Sequence, residues 1–134
     1  MTARYMLDTN ICIYIINANP KSVQERFEQH QVGDLCMSTI TYGELRFGAE
    51  KSAYREKTLR LLKQLTHLIP VADMTLNAAE HYGEIQHTLQ KQGKIIGNND
   101  LWIAAHALAL NITLVTNNTK EFKRIPKLNV ENWA

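Results

Sequence analysis

The chain has 134 residues, 45% of them hydrophobic and 21% charged, and a formal net charge of +2. That length suits one domain, residues 1–134, with a core that needs no disulfide or metal to staple it. No run approaches the ~18 apolar residues of a membrane span, and so small a net charge does not by itself announce a nucleic-acid binder. The start, Met1-Thr2-Ala3-Arg4, lacks the pattern of a secretory signal, so a cytoplasmic protein with no membrane partner is expected. Cys12 and Cys36 form no CxxC pair, have no histidine at zinc-ligand spacing and lie in apolar stretches, which makes them small core residues.

In chain order, Tyr5-Met6-Leu7 reads as a buried strand that stops abruptly at Asp8-Thr9-Asn10, before a short apolar helix over Ile11–Ile16. Asn19-Pro20 starts a second helix, Asn as the cap and Pro at the first helical position, with Val23 and Phe27 on its inner face. Gly33-Asp34 turns the chain into a strand over Leu35–Ser38. A helix beginning near Thr39 to Thr41 follows, where Thr41-Tyr42-Gly43-Glu44 fits a capping box. Tyr54–Leu68 is a helix with Leu61, Leu62, Leu65 and Leu68 on one face, and Leu68–Val71 a weak edge strand marked by Pro70. Thr75 caps a helix in which Ala78, Tyr82, Ile85 and Leu89 recur, and Gly93 closes it.

The polar loop Lys94–Asn99 then delivers Asp100 to a helix over Leu101–Leu110, apolar almost all round and therefore buried. Asn111 ends it. Thr113–Thr116 is a strand of the parallel type that stops in Asn117 and Asn118, before a short basic helix around Lys120–Ile125 and a last strand near Leu128–Val130. Strands and helices alternate throughout, so the class is α/β with a central parallel sheet flanked by helices.

In such sheets the carboxyl ends of the strands border the ligand crevice. Asp8 just past a strand, Glu44 in the first turns after another and Asp100 at the head of the buried helix all face that edge. Each alone also reads as a helix cap or capping-box residue. Together they form a cluster of like charges that is costly unless a cation offsets it. Hard oxygen ligands without histidine or thiolate select Mg²⁺ or Mn²⁺, and that combination suits phosphodiester hydrolysis.

Met6-Leu7-Asp8-Thr9-Asn10, Ser38-x-x-Thr41-x-x-Glu44-Leu45, Asn99-Asp100-Leu101-x-Ile103-Ala104-Ala105 and Leu114-Val115-Thr116-Asn117-Asn118-x-x-Glu121-Phe122 resemble, in order and over nearly the whole chain, the successive motifs of the PIN-domain ribonucleases. More narrowly, they resemble the VapC-type toxins of bacterial type II toxin–antitoxin modules. The resemblance implies a PIN fold and a Mg²⁺- or Mn²⁺-dependent endoribonuclease that inhibits translation, with Asp8, Glu44 and Asp100 at the catalytic, metal-binding positions. Where many members carry Asp after the last core strand this chain has Asn118, with Glu121 the nearest acid and a further metal-ligand candidate. Thr9, Asn10, Thr116 and Asn118 are polar supports beside the acids. The resemblance also implies a cognate antitoxin whose tail enters the acidic cleft, a homodimer, and an RNA substrate. A structured RNA such as the anticodon region of initiator tRNA is the leading expectation.

Basic residues fall in two runs, one from Arg46 to Lys63 and one from Lys120 to Lys127. Such runs are most often solvated faces. Under the resemblance they border an RNA cleft, with Arg46, Lys51 and Lys120 as phosphate contacts. His81-x-x-Glu84-x-x-His87 has a spacing that suits a metal, but as one helix among strands it reads as solvent-facing. His106 reads as structural, and Trp102 as a core or interface residue. Two other classes remain open. A phosphoaspartate-type phosphatase also places Asp after the first strand but wants a second Asp where this chain has Asn10, and a non-catalytic α/β interaction module is the other alternative.

Overall fold

The computed structural model describes residues 3–134; Met1 and Thr2, the first two of the four residues on which the expectation about a secretory signal rests, lie outside the described residues. The described residues run β1 (Tyr5–Leu7), α1 (Thr9–Asn17), α2 (Lys21–Glu28), β2 (Leu35–Ser38), α3 (Thr39–Glu50), α4 (Arg55–Leu68), β3 (Val71–Ala72), α5 (Leu76–Gln92), α6 (Asn98–Leu110), β4 (Thr113–Val115), α7 (Thr119–Phe122) and β5 (Val130–Glu131). The sheet is parallel throughout, in the order β3-β2-β1-β4-β5. This is the expected α/β class.

Period-2 alternation divides the strands between two cores. Leu7, Leu35, Met37 and Val115 face one way, onto Ile11, Cys12 and Ile15 of α1, Val23 of α2, Leu45 of α3 and Leu62 and Leu65 of α4. Met6, Cys36 and Leu114 face the other way, onto Ile85 and Leu89 of α5, the apolar length of α6, and Phe122. Both cysteines are buried, as expected of core residues, and burial pushes the Cys36 thiol up to about 12. Phe122 is fully buried and pins the short α7 beneath the sheet edge. Phe122→Ala is expected to cost about 3–5 kcal/mol of stability, read by thermal or denaturant unfolding.

Several local starts differ from the sequence expectation. Asn19 does not cap α2. Its N–H closes α1 by donating to Tyr14 O while Ala18 adopts φ 53°, and Pro20, in extended conformation, takes the cap position with its carbonyl accepting from Val23 N–H. The capping box at Thr41 is also displaced. The cap of α3 is Ser38, whose Oγ accepts from Ile40 N–H, which leaves Thr41 buried inside the helix and Glu44 free to turn elsewhere. On α4 only Leu62 and Leu65 are buried; Leu61 and Leu68 stay 37% and 43% exposed because the helix packs chiefly on α3, along one narrow stripe. The edge strands β3 and β5 begin later than expected. Leu68 still belongs to α4, and the Pro70 carbonyl already accepts from Met37 N–H.

Strand order reverses at β1: β2 and β3 extend to one side, β4 and β5 to the other. The crevice of such a sheet opens at that switch point, outside the carboxyl ends of β1 and β4. Asp8 follows β1 there and Thr116 follows β4, and Asp8 N–H donates to Val115 O across the seam. Because α6 runs antiparallel to β4, its amino end lies at the same edge. Among the described residues no helix is long and apolar enough to cross a membrane.

Candidate active site

Asp8 is both the cap and the acid that its position suggested. Its Oδ1 accepts from Ile11 N–H at 3.0 Å, and the Asn10 N–H also stabilises it, so the amino end of α1 presents a carboxylate at the mouth of the crevice. Asp8 is 4% exposed. Burial pushes its carboxyl above the ordinary value, hydrogen bonding from Thr116 and Ile11 pulls it back, and the Glu44 charge raises it further. Asn10 serves through its backbone; its residue is exposed.

Glu44 arrives from the second turn of α3. Thr9 Oγ1 donates to its Oε1 at 2.6 Å, with the Thr41 hydroxyl 3.3 Å from the same Thr9 oxygen, and Asn99 Nδ2 reaches its Oε2 at 3.4 Å. Asp100 is not the cap of α6. Gly97 takes that place without a side chain, leaving Asp100 as the acid of the first turn, where the helix dipole favours it. Burial raises the Asp100 carboxyl to about 6, and every charge that adds to the rise is a carboxylate: Glu121, then Asp8, then Glu44. Mutual repulsion thus joins the four acids named from the sequence in one electrostatic group.

Glu121 is bound on both oxygens. Oε1 accepts from Gly97 N–H at 3.1 Å and Oε2 from Asn118 Nδ2 at 2.9 Å, which ties α7 to the head of α6. Thr116 is fully buried, its Oγ1 accepting from Asn118 N–H at 3.0 Å. Glu44, Gly97, Asn98, Asn99 and Asp100 line an open cleft of about 420 Å³. Asn99 opens one of the motifs quoted from the sequence but was given no role there; the structure places it beside Glu44.

The donors are hard oxygens with unbalanced negative charge, which is the chemistry Mg²⁺ or Mn²⁺ takes. Among the described residues no three acids are drawn into one ligand sphere, because Glu44 and Glu121 turn their oxygens to Thr9, Asn99, Gly97 and Asn118. An open cleft lined by the carboxylates of Asp100 and Glu44 fits an ion that keeps several waters and binds through one or two carboxylates.

Of the basic candidates, Arg46 and Lys51 have partners outside the group of four acids. Arg46 Nε is 2.7 Å from Glu50 Oε2, and Glu50 also takes Arg55 at 2.7 Å. Lys51 Nζ sits 4.8 Å from the centroid of the Phe47 ring, and Lys120 is exposed on α7 beside Glu121. Glu84 and His87 are exposed, as the solvent-facing reading expects, whereas His81 is half-buried, and Trp102 stacks on Tyr82 at 3.9 Å between α5 and α6.

The PIN domain profile matches residues 5–128. A Haemophilus influenzae protein named Ribonuclease VapC2 is 45% identical over 98% of each chain. A Shigella flexneri protein named tRNA(fMet)-specific endonuclease VapC is 44% identical, again over 98% of each. Among solved structures, DNA-bound VapBC from Salmonella typhimurium superposes with a TM-score of 0.92 at 39% identity over 100% of each chain. VapBC2 from Rickettsia felis, bound to a promoter DNA fragment, gives 0.90 at 44% identity over 97% of this chain and 98% of that one. With acids at the strand-order switch point and likeness over its whole described length, the chain belongs to the PIN-domain family, among the VapC ribonucleases.

Proposed function

We propose that this chain is a Mg²⁺- or Mn²⁺-dependent endoribonuclease, the toxin of a type II toxin–antitoxin module, which inhibits translation by cutting a structured RNA. The observation that carries the reading is the electrostatic group of Asp8, Glu44, Asp100 and Glu121 at the switch point, where the charges of the other three acids all raise Asp100. Asp8 and Asp100 are the metal ligands, Glu44 joins them, and Glu121 serves less directly because both of its oxygens are engaged. When bound, the ion activates water and offsets charge on the leaving oxygen. The chain's own part is positional. The amino end of α1 fixes Asp8, Thr9 orients Glu44, Thr116 supports Asp8, and Asn118 holds Glu121. Thr9→Val is expected to weaken Mn²⁺ binding and RNA cleavage by about tenfold, as loss of a ligand's supporting partner does. The check is Mn²⁺ titration beside kinetics on one RNA.

For the substrate, the name of the Shigella relative supports initiator tRNA, and we place the cut in its anticodon region. Lys51 and Lys120 contact phosphates, while Arg46 does so from within its pairing with Glu50. The partner is an antitoxin, which the VapBC complexes among the structural neighbours support, and the toxin itself is a homodimer. The deciding experiment is incubation of purified chain with total RNA, with Mg²⁺ or chelator, followed by sequencing of RNA ends. Cleavage that needs the ion and maps to one tRNA is expected. Intact RNA under both conditions returns the chain to the reading of a non-catalytic interaction module, and light scattering that gives a monomer at high micromolar concentration removes the homodimer.

A further inference from the structure

His106 lies in the middle of α6, fully buried, with both ring nitrogens engaged. Its Nε2 is 3.0 Å from Asp73 O, in the segment after β3. A carbonyl only accepts, so Nε2 carries the proton. Burial pushes the imidazole below its ordinary value and keeps it neutral, which leaves Nδ1 as an acceptor. The Ser38 hydroxyl, 2.8 Å away, must then donate to Nδ1, and the same Oγ accepts from Ile40 N–H at 3.1 Å as the cap of α3. Each donor in this chain of bonds points the same way, from the head of α3 through α6 to the end of β3, so the bonds polarise one another.

We propose that His106 is a positioning residue that acts through Ser38 to lock α3, and with it Glu44, against the helix that carries Asp100. Among the described residues, the polar bridges from α6 to α3 and its cap are two. Near the cleft Asn99 reaches Glu44 at 3.4 Å from an exposed position, and in the core His106 meets Ser38 at 2.8 Å. The long exposed bond restrains little, so the buried one sets how far α3 slides and rotates relative to α6. A site of this kind tolerates displacements of only about 0.5 Å before its geometry is lost.

This inference rests on the reading of Glu44 and Asp100 as partners in one site, and its test separates the two. ¹⁵N NMR of the wild-type protein is expected to show His106 as the Nε2–H tautomer; the Nδ1–H tautomer overturns the proposal. Ser38→Ala and His106→Gln are compared for Mn²⁺ affinity by electron paramagnetic resonance, for kcat and KM on RNA, and for Tm. His106→Gln leaves Ser38 free to cap α3, so a loss there is not a capping effect.

Both variants are expected to lose about tenfold in Mn²⁺ affinity and kcat with KM for RNA unchanged, and the double variant to lose little more than either. A folded variant with wild-type Mn²⁺ affinity and kcat, or losses that simply add, overturns the proposal. If His106→Gln does not fold, the tautomer and Ser38→Ala decide. If the wild type neither binds Mn²⁺ nor cuts RNA, the functional reading fails, and backbone amide shifts in Ser38→Ala decide the positioning alone. Shifts that reach Glu44 and Asp100 support it, and shifts confined to the neighbourhood of Ser38 and Ile40 overturn it.

Discussion

Asp8→Asn and Asp100→Asn are each expected to lower RNA cleavage by at least about a hundredfold, since loss even of a ligand's supporting partner costs about 10–100-fold. Asn preserves the shape of Asp and its ability to accept from Ile11 N–H at the head of α1, so the fold is expected to survive. What disappears is the negative charge at the crevice. The measurement is cleavage of one defined RNA at saturating Mg²⁺, with circular dichroism to confirm folding. Wild-type rates from either folded variant would remove the metal-site reading and leave Asp8 as a cap alone.

The parts of this site legible in the sequence were those fixed by local pattern. An apolar run ending at Asp8 marks a strand end, and the all-round apolar character of Leu101–Leu110 marks the buried helix whose head carries Asp100. Alternation places Met6 and Leu7 on opposite faces, as found in the two cores. Long-range selection was not legible. Thr41-x-x-Glu44 satisfies the capping-box spacing, yet β2 ends at Ser38, which caps the helix first, and Thr9 from another helix then claims Glu44 at 2.6 Å. Asn99 and Glu44 meet across 55 positions of sequence, and His106 and Ser38 across 68, which no local rule foresees. At Asn19-Pro20 the local rule itself had two solutions, because the residue that suits the cap of α2 is also the one that closes α1.

The electrostatics of the cluster predict an inverted effect of mutation on stability. Asp100 has a folded-state value near 6 against 3.8 ordinarily, so between those values the folded protein binds more protons than the unfolded chain. The stability this proton brings is complete below 3.8 and is lost as pH rises through about 6. At pH 7 the ionised Asp100 therefore destabilises the fold, and the raised Asp8 carboxyl acts in the same direction. A rise from 3.8 to about 6 corresponds to about 3 kcal/mol, but Asp100 is only half-buried, and solvent screening reduces this to about 1 kcal/mol.

Asp100→Asn removes that repulsion, whereas an ordinary substitution costs about 1 kcal/mol. In chelator at pH 7 the variant is expected to unfold at the wild-type temperature or a few degrees above it, an advantage that shrinks as the pH falls below 6 toward 3.8. Mg²⁺ reverses the order, because an ion that binds only the folded state adds about 2.7 kcal/mol at about a hundred times its Kd. The wild type should gain this in full and Asp100→Asn much less. Thermal unfolding of both proteins, with chelator and with excess Mg²⁺, measures all four midpoints. A variant clearly less stable in chelator, together with equal shifts on adding Mg²⁺, would mean that these acids stabilise helix ends and do not share an ion.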